Sequence, residues 1–101
     1  YGASWGREHL EQLYEPWVAL AAQGIGVHCG EGGAFRYTPH AVLLAWLRDV
    51  LEILAAHNIG FALWNFRGSF GVLDSERADV DYVPWHGHQL DRALLELLRE
   101  F

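Results

Sequence analysis

The stretch GIGVHCGEGG, residues 24 to 33, decides how this chain is read. Its small and apolar residues suit a buried strand, yet the run finishes on a carboxylate, Glu31. Burying an unpaired carboxylate is costly unless something holds it or uses it, so Glu31 is the first functional candidate. Downstream, IGFALWNF (59–66) is a second short apolar run, bounded by Asn58 on one side and the turn-forming RGS on the other. It reads as a second buried strand.

Helical patterns surround both strands. Between them, TPHAVLLAWLRDVLEILAAHN (38–58) opens with Thr38 as the expected N-cap and Pro39 at the first helical position. Leu43, Trp46, Leu47, Val50 and Leu54 then repeat along one face, with Trp46 as ordinary core. Upstream, REHLEQLYEPWVALAAQG (7–24) carries Leu10, Leu13, Tyr14, Trp17, Leu20 and Ala21 at helical spacing, and Pro16 is expected to divide it into two short helices. HQLDRALLELLREF (88–101) closes the chain as a helix with Leu90, Leu94, Leu97, Leu98 and Phe101 on one stripe. A long polar loop, residues 67–87, precedes it. Strands separated by full helices are parallel neighbours joined by right-handed crossovers, which makes the class α/β.

Size and charge narrow the function. The 101 residues form at most one small domain, burying about two-thirds of the unfolded surface. The formal charge is −6, and every base is an Arg with no Lys at all. Without a clustered basic face, a nucleic-acid partner is not expected. No apolar run reaches membrane-spanning length and no secretory leader is visible, so no membrane partner is expected either. The chain starts abruptly at Tyr1, as though cut from something longer. One Cys excludes an internal disulfide.

Two parallel strands make an incomplete sheet with both edges unpaired. In a closed barrel of parallel strands, alternate residues face the axis and reactive groups gather at the carboxyl ends. If Glu31 faces the axis, regular alternation places Cys29, Val27 and Ile25 there too, and sends His28 to the opposite face as a core histidine. Trp64 at the end of the second run would share its face with Ala62 and Gly60.

At this point a resemblance emerges. VHCGEGGAF, then GFALWNFRGSFGVLDS, then HGHQLDRALLELL occur in the order and spacing of the C-terminal portion of glycoside hydrolase family 5, the cellulase family. The resemblance runs through nearly the whole chain and is strongest from Val27 to Phe101. It implies that residues 1–101 are a C-terminal fragment of one TIM (β/α)8 barrel domain, with the two strands as the seventh and eighth. It further implies that Glu31 is the catalytic nucleophile of a retaining glycosidase acting on β-1,4-linked glucans or related β-glycans, and that Trp64 is the aromatic platform under the sugar. Asn65, Arg67 and Phe70, on the loop leaving the same strand, are candidate substrate contacts. The implied partners are an oligo- or polysaccharide and the remainder of the barrel; no cofactor or metal is implied, and secretion is suggested by the family alone.

Retaining chemistry needs a second carboxyl group. The family keeps its acid/base glutamate in an Asn-Glu-Pro strand end, and no Asn-Glu pair exists in this chain. The family's arginine near the third strand, and its orienting His and Tyr, are also missing, so the chain alone is expected to be inactive. Asp74, Glu76, Asp79 and Asp81 are read as a solvated acidic loop. Other readings stand beside this one. Glu31 could be an N-cap or the ion-pair partner of Arg36. The whole could be a non-catalytic carbohydrate-binding or degenerate barrel module. A metal site drawing on His28, Cys29, Glu31, His86 and His88 is a weaker alternative, because their spacing matches no standard ligand set.

Overall fold

A computed structural model of the chain describes residues 1–2 and 4–101. Its organising element is α2 (His40–Ala56), which is apolar on two sides because it packs between two others. Leu43, Leu47 and Leu51 join Val72, Leu73, Leu90, Leu94 and Leu97 in one core. On the other side Val50, Ile53 and Leu54 close against Leu10 and Ile59. These cores seat α1 (Arg7–Ala22) and α3 (Arg92–Arg99) on opposite flanks of α2, and Trp46 bridges the two. No helix among the described residues is long and apolar enough to cross a membrane.

The two strands are β1 (His28–Gly32) and β2 (Gly60–Leu63), and they pair in parallel as the alternating order requires. Phe61 and Leu63 turn toward the helices and pack on the cores, so Gly60, Ala62 and Trp64 lie on the other face. On that face Gly60 and Trp64 are exposed and Ala62 is half-buried. Neither strand is buried as its sequence alone predicts, because each has one paired edge and one covered face.

Alternation along β1 departs from expectation. Val27 and Cys29 pack on the core beside Leu54 and Ile59, which puts them on the helix side rather than the open side. A bulge follows: Cys29 pairs with Phe61 and Gly32 with Leu63, so three steps on β1 match two on β2. The extra residue breaks the period-two pattern, and the placement of Cys29 no longer dictates that of Glu31. His28, expected in the core, is exposed.

Three further expectations are corrected. α1 runs unbroken through Pro16. The hydrogen bond that proline removes belongs to Gln12, which is exposed and open to water, while Leu10, Tyr14, Val18 and Ala21 pack on α2 on both sides of the proline. At the start of α2 the cap residue is Pro39, not Thr38; the His40 backbone N–H donates instead to Asp79 Oδ2 at 2.7 Å. The closing helix starts at Arg92 rather than His88, because His88–Leu90 forms strand β4 antiparallel to β3 (Val83–Trp85). His86 and Gly87 turn that hairpin with φ of 47° and 81°, the doubly positive pair that a tight two-residue turn demands. Asp91 then caps α3, its fully buried carboxylate accepting from the Leu94 N–H at 3.1 Å and bonding His40 Nε2 at 2.8 Å.

Candidate functional site

The carboxyl ends of β1 and β2 converge through the backbone. The Trp64 N–H donates to the Gly32 carbonyl at 2.8 Å, and a Cβ on Gly33 would collide with the Trp64 carbonyl oxygen. Only glycine permits that approach. Glu31 and Trp64 therefore stand on adjacent strand ends. Glu31 is exposed, and among the described residues its carboxylate has no hydrogen bond or ion pair. Arg36, its expected structural partner, pairs with Glu76 at 3.1 Å instead. Trp64 is 50% exposed, unlike Trp46, which packs between the cores. The peptide between Trp64 and Asn65 is cis.

The other candidates sit on the loop leaving β2 in different roles. Asn65 Nδ2 donates to the Arg67 carbonyl at 2.9 Å, while its Oδ1 is buried with no partner among the described residues. Arg67 Nε donates to Asp74 Oδ2 at 2.7 Å. Phe70 packs on Phe35, centroid to centroid 5.3 Å, which joins the loop after β2 to the loop after β1.

The acidic loop is not merely solvated. Asp74 takes the Gln89 N–H at 2.8 Å, Arg67 Nε at 2.7 Å and a bond with His88 Nδ1 at 2.7 Å. The Gln89 backbone N–H, with Arg67 and His88 after it, holds the Asp74 carboxyl well below the usual carboxylate range. The His40 backbone N–H lowers Asp79 in the same way, and Glu76 is taken by Arg36. Asp74, Glu76 and Asp79 each met a donor that lies tens of residues away or across a turn, which the loop's composition could not reveal, while Asp81 is exposed with no side-chain partner among the described residues, as a solvated acid is.

Sequence reading missed two residues outright. Arg77 is buried and donates to the carbonyls of Ala34, Phe35 and Thr38 at 2.7, 3.3 and 2.8 Å, fixing the loop after β1. Asp91 was hidden inside a supposed helix, although an Asp directly before RALLELL is an N-cap signal. The five residues of the metal alternative are not brought together. His88 bonds Asp74, His86 stacks edge-on against Trp85, and among the described residues no group of three or more His, Cys, Asp or Glu could hold an ion.

Comparison with known proteins points in one direction. No family model matches the chain, and no curated protein does. Among solved structures, it resembles the crystal structure of a glycoside hydrolase with a TM-score of 0.87 and 38% identity, over 95% of this chain and 29% of that one. It shares its fold with Thermotoga maritima Cel5A, solved in complex with mannotriose, at a TM-score of 0.73 and 24% identity, over 96% of this chain and 30% of that one. A hyperthermophilic endo-beta-1,4-glucanase, solved in complex with substrate, matches at 0.72 and 19%, over 98% of this chain and 29% of the other. The chain is thus a small α/β unit that spans about three-tenths of the structures it matches and resembles a portion of a glycoside hydrolase.

Proposed function

We propose that the chain is the C-terminal portion of a retaining β-glycoside hydrolase barrel, with β1 and β2 as its seventh and eighth strands and residues 1–101 as one part of a single domain. The observation that carries this reading is the pairing of strand ends: an exposed Glu31, with no side-chain partner among the described residues, and an exposed Trp64 on adjacent strand ends that are joined through Gly32 and Gly33. A carboxylate there can attack an anomeric carbon to form a covalent glycosyl-enzyme, while an indole offers its flat face to the sugar's C–H groups. Asn65, Arg67 and Phe70 line the same end of the strand pair.

The second carboxyl must stand about 5 Å from the nucleophile and carry a proton at working pH, which calls for a raised pKa. Asp74 and Asp79 are pushed the other way and Glu76 is ion-paired. The resemblance puts the acid/base glutamate at an Asn-Glu-Pro strand end that this sequence does not contain, so the group is assigned to the remainder of the barrel, which is a required partner. The substrate is a β-1,4-linked glucan or a related β-glycan.

The test is trapping with a 2-deoxy-2-fluoro glycoside, followed by peptide mass spectrometry on the polypeptide that carries this chain. The label is expected on Glu31, and Glu31→Gln should lower kcat by several orders of magnitude while leaving folding nearly intact, because charge goes and shape stays. Label on a different carboxylate would overturn the assignment.

A further inference from the structure

We propose that Tyr37 is an outer sugar-stacking platform, so that a glycan seated over Trp64 extends onto a second aromatic presented by the loop after β1. The inference rests on the glycosidase reading above. Tyr37 is 78% exposed, the highest among the exposed large apolar side chains of the described residues. An aromatic left in water gains nothing from packing, yet this one is held firmly.

Two neighbours hold it. Arg36 Nη2 donates to the Tyr37 hydroxyl at 3.3 Å, and the guanidinium lies 5.1 Å from the Tyr37 ring centroid. Phe35 meets the Tyr37 ring edge-on at 5.1 Å. Both supports are themselves anchored, Arg36 by Glu76 at 3.1 Å and Phe35 by Phe70 at 5.3 Å. Beneath them, buried Arg77 ties down the carbonyls of Ala34, Phe35 and Thr38. The Tyr37 side chain is thus held by Arg36 and Phe35 while most of its surface stays in water, so less ordering entropy is lost when a ligand stacks on it than on an unsupported ring.

The flanking chemistry selects a sugar over an apolar partner. A pyranose presents a C–H face for the ring, and its hydroxyls suit the polar Arg36–Glu76 pair at the platform's side. The location fits as well. The loop leaves β1 at Gly33, whose backbone abuts Trp64, so Tyr37 and Trp64 belong to the same end of the strand pair.

The measurement is kcat/KM on cellohexaose and on 4-nitrophenyl β-cellobioside, using the polypeptide that carries this chain and its Tyr37→Ala and Tyr37→Phe variants. In Tyr37→Ala the ratio of the long substrate to the short one should fall about three- to tenfold with little change in Tm, while Tyr37→Phe should restore the ratio because it keeps the ring. A ratio that stays constant in Tyr37→Ala, or an equal loss on both substrates accompanied by a fall in Tm, would show that the ring packs against other parts of the barrel and would overturn the platform. Hydrolysis of neither substrate by the unaltered protein would overturn the glycosidase reading and the platform with it.

Discussion

Trp64 and Trp46 are the same residue type in two apolar runs, and the environment alone separates their roles. Trp46 is enclosed between two cores, whereas Trp64 ends a strand with half of its surface in water. Removing the Trp64 ring should therefore cost ligand binding more than folding. Trp64→Ala is expected to weaken binding of a β-gluco-oligosaccharide and its transition state by about 1–3 kcal/mol, with a smaller loss of fold stability. Calorimetric titration alongside a melting curve checks this; a collapse in Tm with binding per folded molecule unchanged would return Trp64 to the core.

Among the elements, the hairpin of β3 and β4 is the least self-sufficient, having three residues per strand. A lone two-stranded hairpin is marginal in water, and here Asp74 fastens it by gripping Gln89 and His88 while Arg67 reaches in from the loop after β2. Because folding depresses the Asp74 pKa, its contribution is complete above the ordinary carboxylate value near 4 and is lost as pH falls below it. Comparison of Tm for the unaltered chain and Asp74→Asn should show a constant gap above about pH 5 that narrows on acidification below about pH 4. A gap that widens in acid would reverse the sign of the argument.

For the whole molecule the decisive fact is uncovered surface. Among the described residues neither outer edge of the β1–β2 pair has a strand partner, Gly60 and Trp64 are exposed on one face, and Leu13, Trp17, Leu20 and Ile25 are exposed along α1 and the segment after it. Unpaired edges and contiguous apolar surface promote association. Expressed by itself, the 101-residue chain is expected to sediment as a self-associated species and to leave soluble β-glucans uncut, since it has no Asn-Glu strand end to supply the second carboxyl that the proposed mechanism needs. A monomer that cleaves β-glucan at ordinary enzymatic rates would refute both statements.

Local pattern by itself determined the three helices and the two parallel strands in their order and the core stripe of α2, since hydrophobic period and turn residues act over a few positions. Composition could show neither the bulge after Cys29 nor the hairpin through His86 and Gly87, and it left Asp74, Asp79 and Arg77 without partners. The partners of Asp74, Asp79 and Arg77 came from the tertiary structure, because His88, the His40 N–H and the Ala34 carbonyl lie 14, 39 and 43 residues away and meet them only in space. The same reason explains α1: Pro16 is a helix breaker by local rules, and packing on α2 across both of its flanks outweighed the one hydrogen bond it removes.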